Sequence, residues 1–344
     1  TVAITNAAGI QNNFVNPNDN VSLTVTFSEV VVVDNSSGSP TLTIVVGSDN
    51  RTATYTSGSG NAQQVFGYMV QALFTSGEND SNGISISANS LSLNSSTIKD
   101  EAGNTAIITH SAVSNNSAYK VDTIPPTVDS AGITSATGVQ NNFVNPDDVV
   151  SITAAFSETV LVVSGTPTLT IVVGTTNRTS TYNSGSNSAN LLFRYTIQAL
   201  LTSGENDSNG ISIGANALSL NSGTVTDLAG NLATDISHDA ASDNSEYMVD
   251  TIAPAVNSFS MDDIEVRIGD TPTVTIVFSE QICSVSNLCA SIVLTNSDIS
   301  NPNGSLSTIS SSDNTTWTGT FTPTMNVEDT TNVLSLGTGY TDLA

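Results

Sequence analysis

Three short acidic motifs recur along the chain, each bringing oxygen donors. F-S-E carries Glu29, Glu158 and Glu280. D-x-A-G-N carries Asp100 with Asn104 and Asp227 with Asn231, and the final T-D-L-A carries Asp342 in the matching place. V-D-T carries Asp122 and Asp250. The motifs are built of carboxylates and amides, so the chemistry on offer is that of hard oxygens. Calcium takes six to eight such ligands at roughly 2.3–2.6 Å, from carboxylates, backbone carbonyls and water. Three carboxylates packed together without a cation would raise one another's pKa and oppose their own assembly.

The charge balance sharpens this reading. Asp and Glu number 31, Lys and Arg only 6, and the formal charge is −25. The acids are ordinary in number; the scarcity of cations is the anomaly, since charged residues make up 11% of the chain against the usual quarter or so. Converging acids would therefore have to find a metal counterion. The same deficit excludes a nucleic-acid partner, because phosphate contacts need Lys and Arg, and it argues against anionic membranes. No apolar run approaches the roughly 20 residues of a membrane helix, so no membrane span is expected. Residue 1 already lies inside a repeat, so any targeting sequence is expected outside these residues.

The acids sit in a chain that repeats itself. Residues 11–29 (QNNFVNPNDNVSLTVTFSE) return at 140–158 (QNNFVNPDDVVSITAAFSE), SGENDSNGISI at 76–86 returns at 203–213, and VDTIPP at 121–126 returns as VDTIAP at 249–254. A period of about 127 residues is too long for a solenoid and suits a chain of whole domains. Period-2 alternation dominates, as in VSLTVTF (21–27) and TLTIVV (41–46), with Gly, Asn, Asp and Pro clusters between the strands. No stretch has helical periodicity. Seven or so short strands per repeat predict an all-β fold of tandem immunoglobulin-like antiparallel β-sandwich domains. The Pro-containing linkers, short and stiff, set the boundaries: unit 1 is 1–126, unit 2 is 127–254, and unit 3 is a divergent sandwich over 255–344. Unit 3 stops at T-D-L-A where unit 2 continues GNLATD. Its last strand is expected either beyond Ala344 or from a neighbouring subunit, since an open sheet edge is a template for strand addition.

With strands alternating between two poles, F-S-E ends the second strand at the N-terminal pole. D-x-A-G-N turns before the last strand at that pole, and the linker Asp of the preceding unit arrives there. Asp122, Glu158, Asp227 and Asn231 are then predicted to converge at the first junction, and Asp250, Glu280 and Asp342 at the second. Glu29, Asp100 and Asn104 form the same half-site at the start, without a linker partner. The competing reading is separate solvated acids, with Gly230 and Asn231 making a tight turn.

The D-x-A-G-N turn, the F-S-E segment, the E-N-D-S-N-G-I-S block and the V-D-T-x-x-P linker, in fixed order twice over, resemble the bacterial Ig-like tandem repeats of giant extracellular adhesins and other surface proteins. The stretches GDTPTVTIVFSE and TFTPTMNVEDTTN resemble a second subtype of the same class. The resemblance implies a secreted, cell-surface rod of sandwiches, often stiffened by calcium at its junctions, and no enzyme. Its partners would be neighbouring Ig-like domains or subunits, with any host or surface ligand engaged through regions outside this chain. The alternative function is a subunit of a self-assembling extracellular filament or sheath; a glycan-binding module is a weaker third.

Other candidates carry less. E-N-D-S-N-G (Glu78, Asp80, Asn82 and Glu205, Asp207, Asn209) resembles the first half of a calcium loop, but Asn89 and Asn216 stand where a bidentate Glu would close it; the alternative is a polar loop whose Gly supplies positive φ. Cys283 and Cys289, the only cysteines, read as a local disulfide, with free buried thiols as the alternative. His110 and His238 read as surface histidines, and Trp317 as core or edge packing. No nucleophile stands beside an acid and a His in an order that would support hydrolysis.

Overall fold

The computed structural model describes residues 1–72, 78–199, 205–283 and 294–344. Among them the regular structure is almost all strand, with one 3-10 turn at Asn296–Asp298. No helix is long and apolar enough to cross a membrane. The fold is all-β, an array of immunoglobulin-like antiparallel sandwiches.

In unit 1 one curled sheet runs in the order Val2–Ala8, Asn20–Asp34, Asn61–Met69, Asp49–Ser57, Thr41–Val46, Leu91–Ser92, with Thr97–Asp100 paired to the far half of Asn20–Asp34. A small sheet of Phe14–Val15, Lys120–Asp122 and Asn79–Asp80 closes the opposite pole. Its Lys120–Asp122 strand pairs parallel with Phe14–Val15, a departure from the all-antiparallel expectation. Unit 2 repeats the main sheet strand for strand, from Val128–Ala136 through Val149–Ser164 to Leu218–Ser219, with Thr224–Asp227 off the path. Unit 3 keeps a reduced sheet of Val256–Met261, Thr273–Phe278, Thr316–Pro323 and Gly304–Leu306.

Alternation produces the cores. Thr41–Val46, Thr168–Val173 and Thr273–Phe278 each bury every second residue, because successive side chains point to opposite faces. Leu42, Ile44 and Phe66 are fully buried in unit 1, Leu169, Ile171 and Phe193 in unit 2, and Ile276 and Phe278 in unit 3. Trp317 belongs to the third core, one of the two packing places expected for it.

One expectation is corrected. F-S-E does not end a strand in units 1 and 2; it lies inside the 15-residue Asn20–Asp34 and the 16-residue Val149–Ser164. Pairing with the Asn61–Met69 strand jumps from Thr26↔Gln63 to Val31↔Asn61, and in unit 2 from Ala155↔Asn190 to Val160↔Ser188. The intervening residues form a bulge, which bends a strand and re-aims its side chains. Glu29 and Glu158 therefore sit at a corner, between the part paired with the first strand and the part paired with the D-x-A-G-N strand. In unit 3, Thr273–Phe278 does end just before Glu280.

Candidate metal centre

The corner geometry carries the first junction. Val128 pairs with Phe156, which brings the linker beside the bulge, and Val160 pairs with Asp227, which brings the D-x-A-G-N turn to the same corner. Asp122 arrives from the last strand of unit 1. Asp122, Glu158 and Asp227 each offer a carboxylate oxygen, and the three oxygens lie within 4.8 Å of one another. Asp227 is buried and the other two are half-buried.

Hydrogen bonds brace the set. Asn231 donates its backbone N–H to Asp227 Oδ1 (2.9 Å) and its Nδ2 both to Asp227 Oδ2 (2.7 Å) and to the backbone carbonyl of Asp122 (3.0 Å). Asn231, a predicted ligand, thus ties the acids of two units together through its amide nitrogen. Asp122 Oδ1 accepts the N–H of Ile124. A latch lies beside it: Asn12 Nδ2 of unit 1 donates to the Leu228 carbonyl (2.9 Å). Gly230, at φ +94°, leaves room for Gln11, whose Nε2 would lie 2.5 Å from a Cβ there.

The second junction repeats the plan. Oxygens of Asp250, Glu280 and Asp342, all half-buried, lie within 4.8 Å of one another. Asn141 Nδ2 donates to the Leu343 carbonyl at 2.9 Å, as Asn12 does to Leu228. Asp342 is held by an isolated antiparallel bridge to Ile282.

The electrostatics of both clusters are unfavourable as they stand. Burial first, and then Asp122 and Asp227, push Glu158 up to about 7. Burial, then Asp250 and Asp342, push Glu280 up to about 7. Burial also raises Asp122 and Asp342 above the usual aspartate range. Among the described residues the ion pairs are made by Arg51 and Arg178, and none of them involves an acid of either trio. Three convergent carboxylates, with backbone carbonyls nearby and no ion pair to a cationic side chain among the described residues, form a donor set suited to calcium.

The predicted half-site of unit 1 lines one cleft of about 330 Å³, with Glu29, Asp100 and Asn104 all on its wall. Asn104 bonds Asp100 through its backbone N–H and Nδ2, both at 2.7 Å, and these bonds hold Asp100 below its ordinary range. Glu29 is exposed.

Elsewhere the structure redirects the sequence reading. The oxygens of E-N-D-S-N-G are spent internally: Asp80 accepts the N–H groups of Gly47, Asn82 and Gly83, and Glu78 is buried against Arg51 and Tyr68. Gly83 and Gly210 have φ near +95°, as the polar-loop alternative requires. His238 is buried, not a surface residue; its Nε2 accepts the Ala217 N–H while Nδ1 faces the Asp239 carbonyl. His110 repeats this bonding half-buried. Cys283 is buried, and Cys289 lies outside the described residues. Sequence reasoning missed the Gln11-Asn12 and Asn141 latches, although Q-N-N-F recurs verbatim; its asparagines have positive φ at 12, 13, 141 and 142, a conformation Asn tolerates better than most residues.

Fold and site together define a class: tandem immunoglobulin-like sandwiches joined through acidic junctions. Residues 250–344, the third unit with the linker Asp before it, match the family described as bacterial Ig-like domain, which is consistent with bacterial Ig-like repeats. Comparison with curated proteins gave no match.

Proposed function

We propose that the chain is a structural segment of an extracellular surface protein, a rod of Ig-like units whose junctions are stiffened by calcium. The observation that supports this most directly is the convergence, twice over, of one acid from the end of one unit and two from the unit that follows. Asp122, Glu158 and Asp227 hold the ion at the first junction, and Asp250, Glu280 and Asp342 at the second. The ion cancels the repulsion that pushes Glu158 and Glu280 upward and ties three chain segments to one point, removing the hinge freedom of the linker. Calcium that binds only the docked arrangement stabilises it by about 2.7 kcal/mol when free calcium is a hundred times Kd. The family match and the scarcity of cations fit a structural role at the cell surface. Small-angle scattering of the full chain in calcium and in chelator tests the reading. A longer, stiffer particle in calcium is expected; identical profiles would overturn it.

A further inference from the structure

Glu78 of the E-N-D-S-N-G block and Thr123 of the V-D-T linker are 45 residues apart, and Glu205 and Thr251 are 46 apart, yet each pair is bonded. In unit 1 the Glu78 N–H donates to Thr123 Oγ1 at 2.7 Å, and the Thr123 hydroxyl donates back to the Glu78 carbonyl at 3.1 Å. Asn79 Oδ1 accepts the Thr123 N–H at 3.3 Å, and Asn79 stands opposite Asp122 in the antiparallel register. Thr123 is 1% exposed. The Glu78 carboxylate is anchored in turn: it accepts from the Tyr68 hydroxyl (2.6 Å) and the Gln71 N–H (2.9 Å), and pairs with Arg51.

Unit 2 repeats the assembly. The Glu205 N–H donates to Thr251 Oγ1 at 2.9 Å, and the Thr251 N–H to Asn206 Oδ1 at 3.2 Å. Glu205 accepts from the Tyr195 hydroxyl and the Gln198 N–H and pairs with Arg178. Each threonine directly follows the aspartate that its unit sends to the next junction.

The strands that lead to these aspartates are very short, and Asp250 lies just past the end of its own. Lys120–Asp122 has three residues and Met248–Val249 two. Ladders of this length cannot by themselves fix the direction of a side chain at their last residue, because terminal residues fray. A metal ligand must be held to within about half an ångström to realise its affinity. The threonine supplies that restraint: its side chain and backbone N–H are both bonded to a loop whose own glutamate is locked into the core.

We infer that Thr123 and Thr251 are positioning residues for the junction ion. Through the Glu78 and Glu205 clamps they aim Asp122 and Asp250 at the next unit, so that the packed interior of one unit sets the cation affinity of the joint that follows. The inference rests on the calcium reading of the junctions and adds to it residues outside the acidic trios, bonded within their own unit.

The test uses the full chain with the second junction silenced by Asp250→Asn, so that calorimetric calcium titration reads the first junction alone. Thr123→Val keeps the shape and removes the hydroxyl; it is expected to raise the calcium Kd by about 10–100-fold, the usual effect of losing a group that orients a metal ligand. Thr123→Ser restores the hydroxyl and most of the affinity. A purely structural threonine would lower the melting temperature while leaving Kd unchanged well below melting, and that result overturns the inference. If Thr123→Val does not fold, Asn79→Ala removes only the bond from an exposed side chain to the Thr123 N–H and is expected to weaken binding in the same direction; an unchanged Kd there overturns the inference. Absence of calcium binding in the Asp250→Asn parent overturns the junction reading itself and this inference with it.

Discussion

The starts of units 1 and 2 carry the same motifs but meet different surroundings. Where unit 1 docks on unit 2, Asp227 is 1% and Asn231 6% exposed, and Glu158 is pushed up to about 7 by burial and its two acidic neighbours. At the start of unit 1, Asn104 and Glu29 are exposed, and bonds from Asn104 hold Asp100 below its ordinary range. The hydrophobic interior differs in parallel. In unit 2, Phe156, Val160 and Val225 join the main core; in unit 1, Val31, Val33 and Ile98 form a separate small cluster, with Phe27 only partly buried beside it. Electrostatic conflict is thus not a property of the motif. It appears when a neighbour covers the motif and adds a third acid, which is when a cation becomes useful.

The sharpest way to break this comparison is to remove equivalent acids. Asp227→Ala is expected to weaken calcium binding at the first junction by about 100-fold or more, since a lost ligand should cost at least as much as a lost orienting group. Asp100→Ala should leave both junctions unaffected, and calorimetry of the two variants decides the matter.

Proton competition comes next. Glu158 and Glu280 have folded pKa values of about 7, above the ordinary value for glutamate. In the calcium-free protein, the penalty of charging them is therefore fully present above about pH 7 and is relieved as pH falls toward the unfolded value. Calcium must displace that proton, so its Kd should rise roughly tenfold per pH unit below 7 for one proton released. Calorimetry in buffers of different ionisation enthalpy measures the proton count, and a Kd independent of pH between 5 and 8 would refute the coupling.

Two glycines give a finer contrast. Gly230 and Gly103 share φ values of +94° and +92°, but only Gly230 faces another unit, through Gln11. Alanine at either position costs about 1–2 kcal/mol for the left-handed backbone. Gly230→Ala should cost more, and the excess seen in thermal unfolding reports the docked contact. The smallest effect is expected from Asn12→Ala, which removes one exposed hydrogen bond to Leu228 worth about 0.5–1.5 kcal/mol. It should lower the melting temperature slightly and leave calcium stoichiometry unchanged.

The junction trios were legible in the sequence because alternating strands assign each motif to a pole, and a pole is all that is needed to bring Asp122, Glu158 and Asp227 together. The bulge at F-S-E was not legible, since a strand that turns a corner keeps the alternation of one that ends. E-N-D-S-N-G was ambiguous for a different reason. Acidic and amide oxygens before a glycine suit a metal loop and an Asx-type turn equally; the choice is made by Arg51 and Tyr68, which lie on other strands. His238 was misplaced on the surface because its Ser- and Asp-rich neighbours look solvated, while the bonds that bury it come from Asn216 and Ala217.

One asymmetry of the joint has a consequence for how such a chain can change. The tail of a unit contributes one carboxylate and a polar latch, and the head contributes two carboxylates and a carbonyl. The tail of unit 1 fits the head of unit 2, and an equivalent tail fits the head of the divergent unit 3. Couplings of this kind are directional and shared by the repeated and the divergent units, like matching plugs and sockets. Whole units can be duplicated, lost or exchanged by recombination with every remaining seam intact, so the reach of the molecule can vary without any residue at a joint having to change.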